Sequence, residues 1–471
     1  MIPLTLAEVA GATGGRLVHA DPGAIVTGPV EFDSRRLAPG GLFVAIAGAH
    51  VDGHEFAPAA VAGGAVGVLG SRDTGQPGVL VGDPLEALAR LARAVVDRLP
   101  ALTVVGLTGS SGKTSTKDMV AQLAARVGPT VAPAGSFNNE LGHPYTVLRA
   151  DPATRFLILE LGARGPGHIS HLCAVAPPRI GVVLNVGSAH LGEFGSVAAI
   201  AAAKAELPAA LPADGVAVLN ADDPLVLAMA GRTRARVVLV GESPEATVRA
   251  VDVTLDGRGR ASYTLVGPAG REPVRLAVTG RHQVGNSLAA AAVALELGLP
   301  ADELPAALGA LRLASARRMD VFDRPDGVTV IDDSYNANPA SAAAALHALA
   351  AAGRGRRTVA VLGYMAELGP FEREGHEQVG RLAAELGVDR LIVVGEQAGP
   401  IHRAAAASAG WGGASTLVDD QPAAIARLGA ELRTGDVVLV KGSRYRTWEV
   451  VDALRDGLPT GVGPVSEGVG A

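Results

Sequence analysis

The stretch LTVVGLTGSSGKTSTKDMVAQLAARV, residues 102–127, decides how the rest of the chain is read. It passes from an apolar strand through a glycine-rich turn into a helix with apolar residues at three- and four-residue spacing. Glycines at 109 and 112 let the backbone of Thr108, Gly109, Ser110, Ser111, Gly112, Lys113, Thr114 and Ser115 curl, so that successive N–H groups point at phosphate oxygens. The helix behind the turn adds its positive amino end. Lys113 supplies a point charge for the β- and γ-phosphates, and Thr114 a hydroxyl for Mg2+. The strict phosphate-loop pattern has glycine five residues before Gly112, where Leu107 stands, preceded by Gly106. The plain alternative is a glycine-rich turn between strand and helix. Strand, loop, Lys-Thr pair and helix all agree with nucleotide binding.

Downstream, FLILELG (156–162) and IGVVLNVG (180–187) read as further strands ending in polar residues. Strands alternating with helices imply a largely parallel sheet with its ligand site at the strands' carboxyl ends. Glu160 closes the first of these strands, where a carboxylate can hold a metal; a salt-bridged glutamate is the alternative. His190 follows the second, and is a ligand or a hydrogen-bonded structural residue. Lys204, in AIAAAKAEL, is a solvated lysine or an amine carbamylated by CO2 into a carboxylate, which arginine cannot become. Lysine occurs only at 113, 117, 204 and 441, against a background of arginine that fits codon bias in a GC-rich genome. The survivors are candidates for places where a guanidinium cannot substitute. From Thr247 to Val278 alternation with turn-like DGRGR and GPAGRE predicts appended antiparallel hairpins, and a helix through Ser287–Leu297 closes the unit.

Upstream lies DSRRLAPGGLFVAIAGAHVDGHEF (33–56), with LFVAIAG as a buried strand, then a helix through PLEALARLARAVVDRL ending at Pro100. After Arg318 the strands VTVID, TVAVLG, RLIVVG and DVVLVKG alternate with helical patterns at Ser341–Ala352, Glu372–Leu386 and Pro422–Leu432, a second doubly wound unit. IDDSYNANP (331–339) ends one of its strands with a polar cluster that faces a ligand, caps a helix at Asn338–Pro339, or does both. KGSR (441–444) closes another with groups suited to an anionic or peptide ligand, or is surface charge. The fold class is therefore α/β, with domains at 1–99, 100–315 and 316–457 and an aperiodic, mobile tail at 458–471.

Composition narrows the function. The 471 residues are 48% apolar and 19% charged, enough to build packed cores. Aromatics at 3% and a net charge of −6 argue against nucleic-acid binding. Cys173, the single cysteine, can form no internal disulfide. The amino terminus has no basic residue ahead of its apolar stretch, and no apolar run is long enough to span a membrane, so a soluble cytoplasmic protein is expected.

Taken in order, these segments resemble the Mur ligases of peptidoglycan synthesis over all but the tail. DSR…PGGLFVAIAG…DGHEF is similar to that family's uridine-nucleotide domain, and TGSSGKTSTKD to its ATP loop. SFNNELGHPYTVL, IDDSYNANPASAAAAL and the MAELG of GYMAELG are similar to segments of the branch that adds D-alanyl-D-alanine. The branch that adds the third amino acid carries an Asp-Asn-Pro-Arg type motif, whereas Ala340 follows Asn338–Pro339 here.

The resemblance implies an ATP-dependent, ADP-forming ligase. It would join D-alanyl-D-alanine to UDP-N-acetylmuramoyl-tripeptide through an acyl phosphate, with Mg2+ as cofactor, and act as a monomer. It implies a small uridine-nucleotide domain, a central P-loop sheet and a Rossmann-like carboxyl-terminal domain. By residue, Lys113 would bind ATP phosphates, and Thr114 and Glu160 one Mg2+; His190 and carbamylated Lys204 would serve a second. Asn286 would lie near adenine, and the last domain would bring Arg318 and Asp333 onto the nucleotide. Ser34 and Arg35 would lie near the uridine diphosphate, and Tyr335, Asn336, Asn338, Ser443 and Arg444 in the dipeptide region. Two positions depart from the family: Gln283 replaces an asparagine after His282, and Tyr364 an acidic residue. A folylpolyglutamate-type ligase, a third-residue ligase and a nucleotide-binding regulator without turnover remain the alternatives.

Overall fold

Three large sheets, met in chain order, organise the described residues, with a two-stranded antiparallel pair, Leu4–Thr5 with Ile25–Val26, in addition. The computed structural model describes residues 1–457 apart from 49, 188–190 and 444–445. His190, Arg444 and the tail at 458–471 therefore lie outside the described residues.

The first sheet runs Arg16–Val18, Gly78–Leu80, Gly67–Gly70, Leu42–Val44, Val30–Glu31, parallel except where its first strand joins. Of LFVAIAG only Leu42–Val44 is strand. Asp83 caps the helix Pro84–Asp97, whose apolar face (Leu88, Leu91, Ala92, Val95) is buried. That face packs into one core with Leu157, Leu159 and Ile169 from beyond Pro100. The apolar core does not break where the chain does.

The second sheet has nine strands. Its parallel portion runs Thr130–Val131, Phe156–Glu160, Thr103–Thr108, Ile180–Val183, Val216–Asn220, Arg236–Gly241. These strands are apolar on both faces because helices cover both faces. Val248–Leu255, Arg260–Gly267 and Gly270–Thr279 follow as the expected antiparallel meander, with Val248–Leu255 pairing parallel to the sheet at its root. The closing helix begins four residues earlier than its apolar pattern suggests, at Gln283, and runs to Glu296. Its Ala-rich sides are buried nearly all round against the phosphate-loop helix Lys113–Ala125 and the sheet. Buried Asn286 Nδ2 donates to Gln283 Oε1 at 2.8 Å, which lets these polar residues sit inside a helical turn that patterning reads as loop, although Gln283 Nε2 finds no partner among the described residues.

The third sheet runs Asp320–Asp323, Thr329–Asp333, Val437–Lys441, Thr358–Leu362, Arg390–Val394, Ala414–Val418. The first strand is an antiparallel edge that the sequence reading did not foresee, half-exposed and without an apolar alternation to betray it. Thr329–Asp333 and Val437–Lys441 are neighbours, with Asp333 directly opposite Lys441. Among the described residues, no helix is long and apolar enough to cross a membrane.

Candidate active site

A cavity of about 700 Å3 opens between the carboxyl ends of the second and third sheets. Ser110–Ser115 line one wall; Arg318, Asp333, Tyr335, Asn336, Asn338 and Lys441 line the facing one. Thr108 sits behind the loop, donating to the Leu161 carbonyl at 3.0 Å. Gly112 has φ +80°, and a Cβ there would fall 2.6 Å from Asn286 Oδ1, so only glycine fits this bend.

The loop is held open by side chains from neighbouring strands. Asn185, just past Ile180–Val183, accepts the Ser111 N–H at 2.9 Å and returns a bond to the Ser111 carbonyl at 3.1 Å. Ser110 Oγ accepts the Gly187 N–H at 2.8 Å. Lys113 folds back to donate to the Gly109 carbonyl at 2.7 Å. Burial, partly offset by Glu160 and reinforced by Arg318, pushes its ammonium below its ordinary value.

Glu160, 1% exposed, ends its strand beside this loop. It accepts from Thr114 Oγ1 at 2.9 Å, Ser136 Oγ at 2.9 Å and Asn138 Nδ2 at 2.8 Å. Carboxylate, two hydroxyls and an amide make a hard-oxygen set, which suits Mg2+ beside a phosphate. Among the described residues no three His, Cys, Asp or Glu side chains converge as a metal cluster. A magnesium ion that keeps its waters and leans on substrate phosphates needs no such cluster. Asn185, Ser136 and Asn138 received no role from sequence; the polar residues that follow the strand, LNVG and SFNN, were the available signal.

Lys204 is not solvated. It closes the helix Val197–Lys204 and is 6% exposed. Among the described residues it has no hydrogen-bonding or ionic partner, and burial, with Lys113 adding to it, holds its pKa well below the ordinary lysine value. Burial thus favours the neutral, nucleophilic form of the amine.

On the facing wall, Asp333 takes a close ion pair from Lys441 and the Met319 N–H at 3.2 Å. Lys441 also donates to the Asn336 carbonyl at 2.9 Å. At 2% exposed, Lys441 is not surface charge. Arg318 lies over the Tyr335 ring, 4.1 Å from its centre. Asn338 is a helix cap: its Oδ1 accepts the Ser341 N–H at 2.9 Å while Ser341 Oγ accepts the Asn338 N–H at 3.0 Å, with Pro339 next in line. Ser443 lies outside the cavity lining; its Oγ accepts the Ala366 N–H at 3.2 Å and its own N–H donates to the Tyr364 carbonyl at 3.0 Å. Tyr364 donates to Glu372 at 2.6 Å and stacks on His376. Ser34 and Arg35 do not line this cavity; they open the 3-10 turn Ser34–Arg36 in the first sheet's unit, where Arg35 clasps Asp33 and holds that carboxyl down at about 2.

A phosphate loop, a hard-oxygen carboxylate site and a second α/β unit across one cavity suit an ATP-dependent ligase, and the comparisons agree. Three family descriptions match in order: "Mur ligase family, catalytic domain" at 29–96, "Mur ligase middle domain" at 107–294 and "Mur ligase, glutamate ligase domain" at 317–444. The chain belongs to the Mur ligase family. It is 50% identical to the UDP-N-acetylmuramoyl-tripeptide–D-alanyl-D-alanine ligase of Mycobacterium tuberculosis, over 96% of this chain and 98% of that one. The MurF structure from Acinetobacter baumannii superposes with a TM-score of 0.85 at 30% identity, covering 97% and 99% of the two chains. MurF from Thermotoga maritima, solved in complex with ADP, gives 0.78 at 29% identity, covering 92% and 98%.

Proposed function

We propose that the chain joins D-alanyl-D-alanine to UDP-N-acetylmuramoyl-tripeptide at the expense of ATP, forming the pentapeptide precursor of peptidoglycan. The observation that carries this reading is the Ser110–Ser115 loop with Glu160 facing Arg318 and Asp333 across one cavity, in a chain half identical to ligases of that name. Residues 1–99 would hold the uridine nucleotide through Ser34 and Arg35, 100–315 the ATP, and 316–457 the dipeptide. A monomer in the cytoplasm suffices for this work.

The tripeptide's terminal carboxylate oxygen attacks the γ-phosphorus, the bond to the ADP oxygen breaks, and an acyl phosphate forms. The dipeptide amine then attacks the acyl carbon, phosphate leaves, and the amine gives up its proton. Lys113 and the loop N–H groups neutralise charge on the transferring phosphoryl group. Asn286, Arg318 and Asp333 line the cavity; in this reading Asn286 would lie near adenine, and Arg318 and Asp333 would close over the nucleotide. Glu160 and Thr114 would hold Mg2+, which supplies further positive charge against the phosphates. Lys204, as the carbamate R–NH–COO− formed from its neutral amine and CO2 with release of a proton, would join His190 as a second metal position. Tyr335, Asn336, Asn338, Ser443 and Arg444 belong to the dipeptide side.

The test is ADP release with UDP-muramoyl tripeptide against UDP-muramoyl dipeptide, each with a panel of amines. Turnover is expected with tripeptide and D-alanyl-D-alanine together. Turnover with the dipeptide substrate and a diamino acid would transfer the chain to the third-residue branch, and ADP release with neither would leave a nucleotide-binding regulator.

A further inference from the structure

Lys117 has no part in this chemistry, yet it is among the most deeply buried large side chains, 1% exposed. Its Nζ lies 2.5 Å from Asp118 Oδ1, and Asp118 is itself 5% exposed. A buried ion pair is expensive to desolvate and is weak evidence of stabilisation on its own. What its remaining bonds hold is more telling. Lys117 Nζ donates to the Pro133 carbonyl at 2.8 Å and to Ser315 Oγ at 3.4 Å. Asp118 Oδ2 accepts the backbone N–H groups of Ala314 and Ser315 at 3.1 and 2.8 Å, and Oδ1 accepts from Ser315 Oγ at 3.1 Å. One turn further along the helix, Gln122 bonds both backbone groups of Arg312.

Three pieces of the site meet at this pair. Lys117 lies three residues past Thr114 on the same side of the phosphate-loop helix. Pro133 opens the segment that carries Ser136 and Asn138 to Glu160. Ser315 opens the segment that carries Arg318 to the cavity. Between Ser315 and the third sheet, Arg317 and Met319 both take left-handed backbone conformations, φ 63° and 54°, on either side of Arg318. Such geometry is costly for residues with a Cβ and persists where the surroundings over-determine it. The far end is fixed by Met319 N–H on Asp333, by the Arg317 carbonyl accepting the Tyr335 N–H at 3.2 Å, and by the Arg317 guanidinium on Asp452 at 3.2 Å. Asp118 fixes the near end.

We infer that Asp118, braced by Lys117, is a positioning residue that sets Arg318 against the nucleotide by fastening Ala314–Ser315 to the phosphate-loop helix. The inference rests on the reading of Arg318 as a nucleotide-binding group. The single amide oxygen of Asp118→Asn can keep either the Lys117 ammonium or the Ala314 and Ser315 N–H groups but not both, so either the brace or the fastening is lost without loss of volume.

The test is a double-mutant cycle on the full chain, with Asp118→Asn, Arg318→Ala and the two combined, read as steady-state kinetics. Asp118→Asn is expected to lower kcat/KM for ATP about 10- to 100-fold, with KM for UDP-muramoyl tripeptide held within about twofold. In the Arg318→Ala background the same change is expected to cost no more than about twofold further. A loss of equal size in both backgrounds overturns the inference, because the pair would then act through the general fold and not through Arg318. Near-native kinetics for Asp118→Asn overturns it as well. Near-native kinetics for Arg318→Ala alone removes the reading of Arg318, and the inference with it. If Asp118→Asn does not melt cooperatively, Ser315→Ala carries the same cycle with a several-fold loss expected, and additivity with Arg318→Ala overturns the inference there too.

Discussion

The two walls of the cavity are built on opposite plans. The phosphate-loop wall comes from one contiguous run, Ser110–Ser115, with its charged group, Lys113, hydrogen-bonded among the described residues only to its own loop at Gly109. The facing wall is assembled from strand ends far apart in the chain, with Asp333 and Lys441 opposite each other across two adjacent parallel strands. Lys441 is 2% exposed and bonded to Asp333 and the Asn336 carbonyl, so it shapes the wall as well as charging it. Charge on the first wall is spent on ligand; charge on the second is spent largely on structure. Substitutions on the two walls should therefore fail in different ways.

The largest effect belongs to the second wall. Lys441→Met leaves Asp333, whose side chain is 13% exposed, without its cation; breaking a fully buried pair typically costs about 3–5 kcal/mol, and this one should cost up to about that much. A lowered denaturant midpoint, accompanied by weaker ATP binding, is the expected result. If stability is unchanged while activity collapses, Lys441 is a ligand group like Lys113 and the contrast between the walls is gone.

Lys113→Ala should do the reverse. Removing a charge that meets the transferring phosphoryl group costs about 10²–10³ in kcat, or roughly 3–4 kcal/mol of transition-state stabilisation. Loss of its bond to the Gly109 carbonyl should cost stability only about 1 kcal/mol. Near-normal turnover in a folded Lys113→Ala protein would mean that Ser110–Ser115 is not the catalytic phosphate loop.

Lys204 does not line the cavity and no contiguous motif contains it, but it feels the first wall through the charge of Lys113. An amine whose pKa burial depresses binds fewer protons than its unfolded counterpart, whose pKa is about 10.4. Without CO2, the native state should therefore lose stability as pH falls from about 10.4 through the depressed native value, and bicarbonate at neutral pH should raise the melting temperature. Lys204→Ala should lose about 10²-fold in kcat, recovered in part by acetate or formate, whereas Lys204→Arg should be inactive and unrescued. An active Lys204→Arg variant, or a melting temperature blind to bicarbonate, returns this residue to a cationic or structural role.

How legible each wall is in sequence follows from the same plans. Phosphate recognition is local, so glycines, Lys113 and Thr114 announce it within eight residues. Glu160 was legible because a strand's last residue in a parallel sheet faces the ligand edge. The Asp333–Lys441 pairing was not, because it depends on which strands become neighbours, and register between strands 108 residues apart leaves no mark in either segment. Lys117 was singled out only by the scarcity of lysine and Asp118 not at all, since their partners, Pro133, Ala314 and Ser315, contribute a carbonyl, two N–H groups and one hydroxyl. Backbone partners have no sequence signature. The scarcity of lysine was the usable clue: Lys117, Lys204 and Lys441 are all buried, and Lys113 lines the cavity.

The smallest expected effect tests the boundary between the walls' two kinds of residue. Asn338 lines the cavity and also caps Pro339–Ala352, so it could serve ligand, helix or both. Its Oδ1 satisfies one of the free N–H groups of the first turn, and Ser341 Oγ satisfies the Asn338 N–H in return. Asn338→Ala should therefore cost about 1 kcal/mol of stability, while Asn338→Ser, which keeps a capping oxygen, should cost less. If capping is its whole contribution to this wall, KM for D-alanyl-D-alanine should stay within about twofold in both variants. A tenfold rise in that KM for Asn338→Ser, with the melting transition unmoved, would place Asn338 among the ligand-facing groups and give the second wall a polar contact that is not primarily structural.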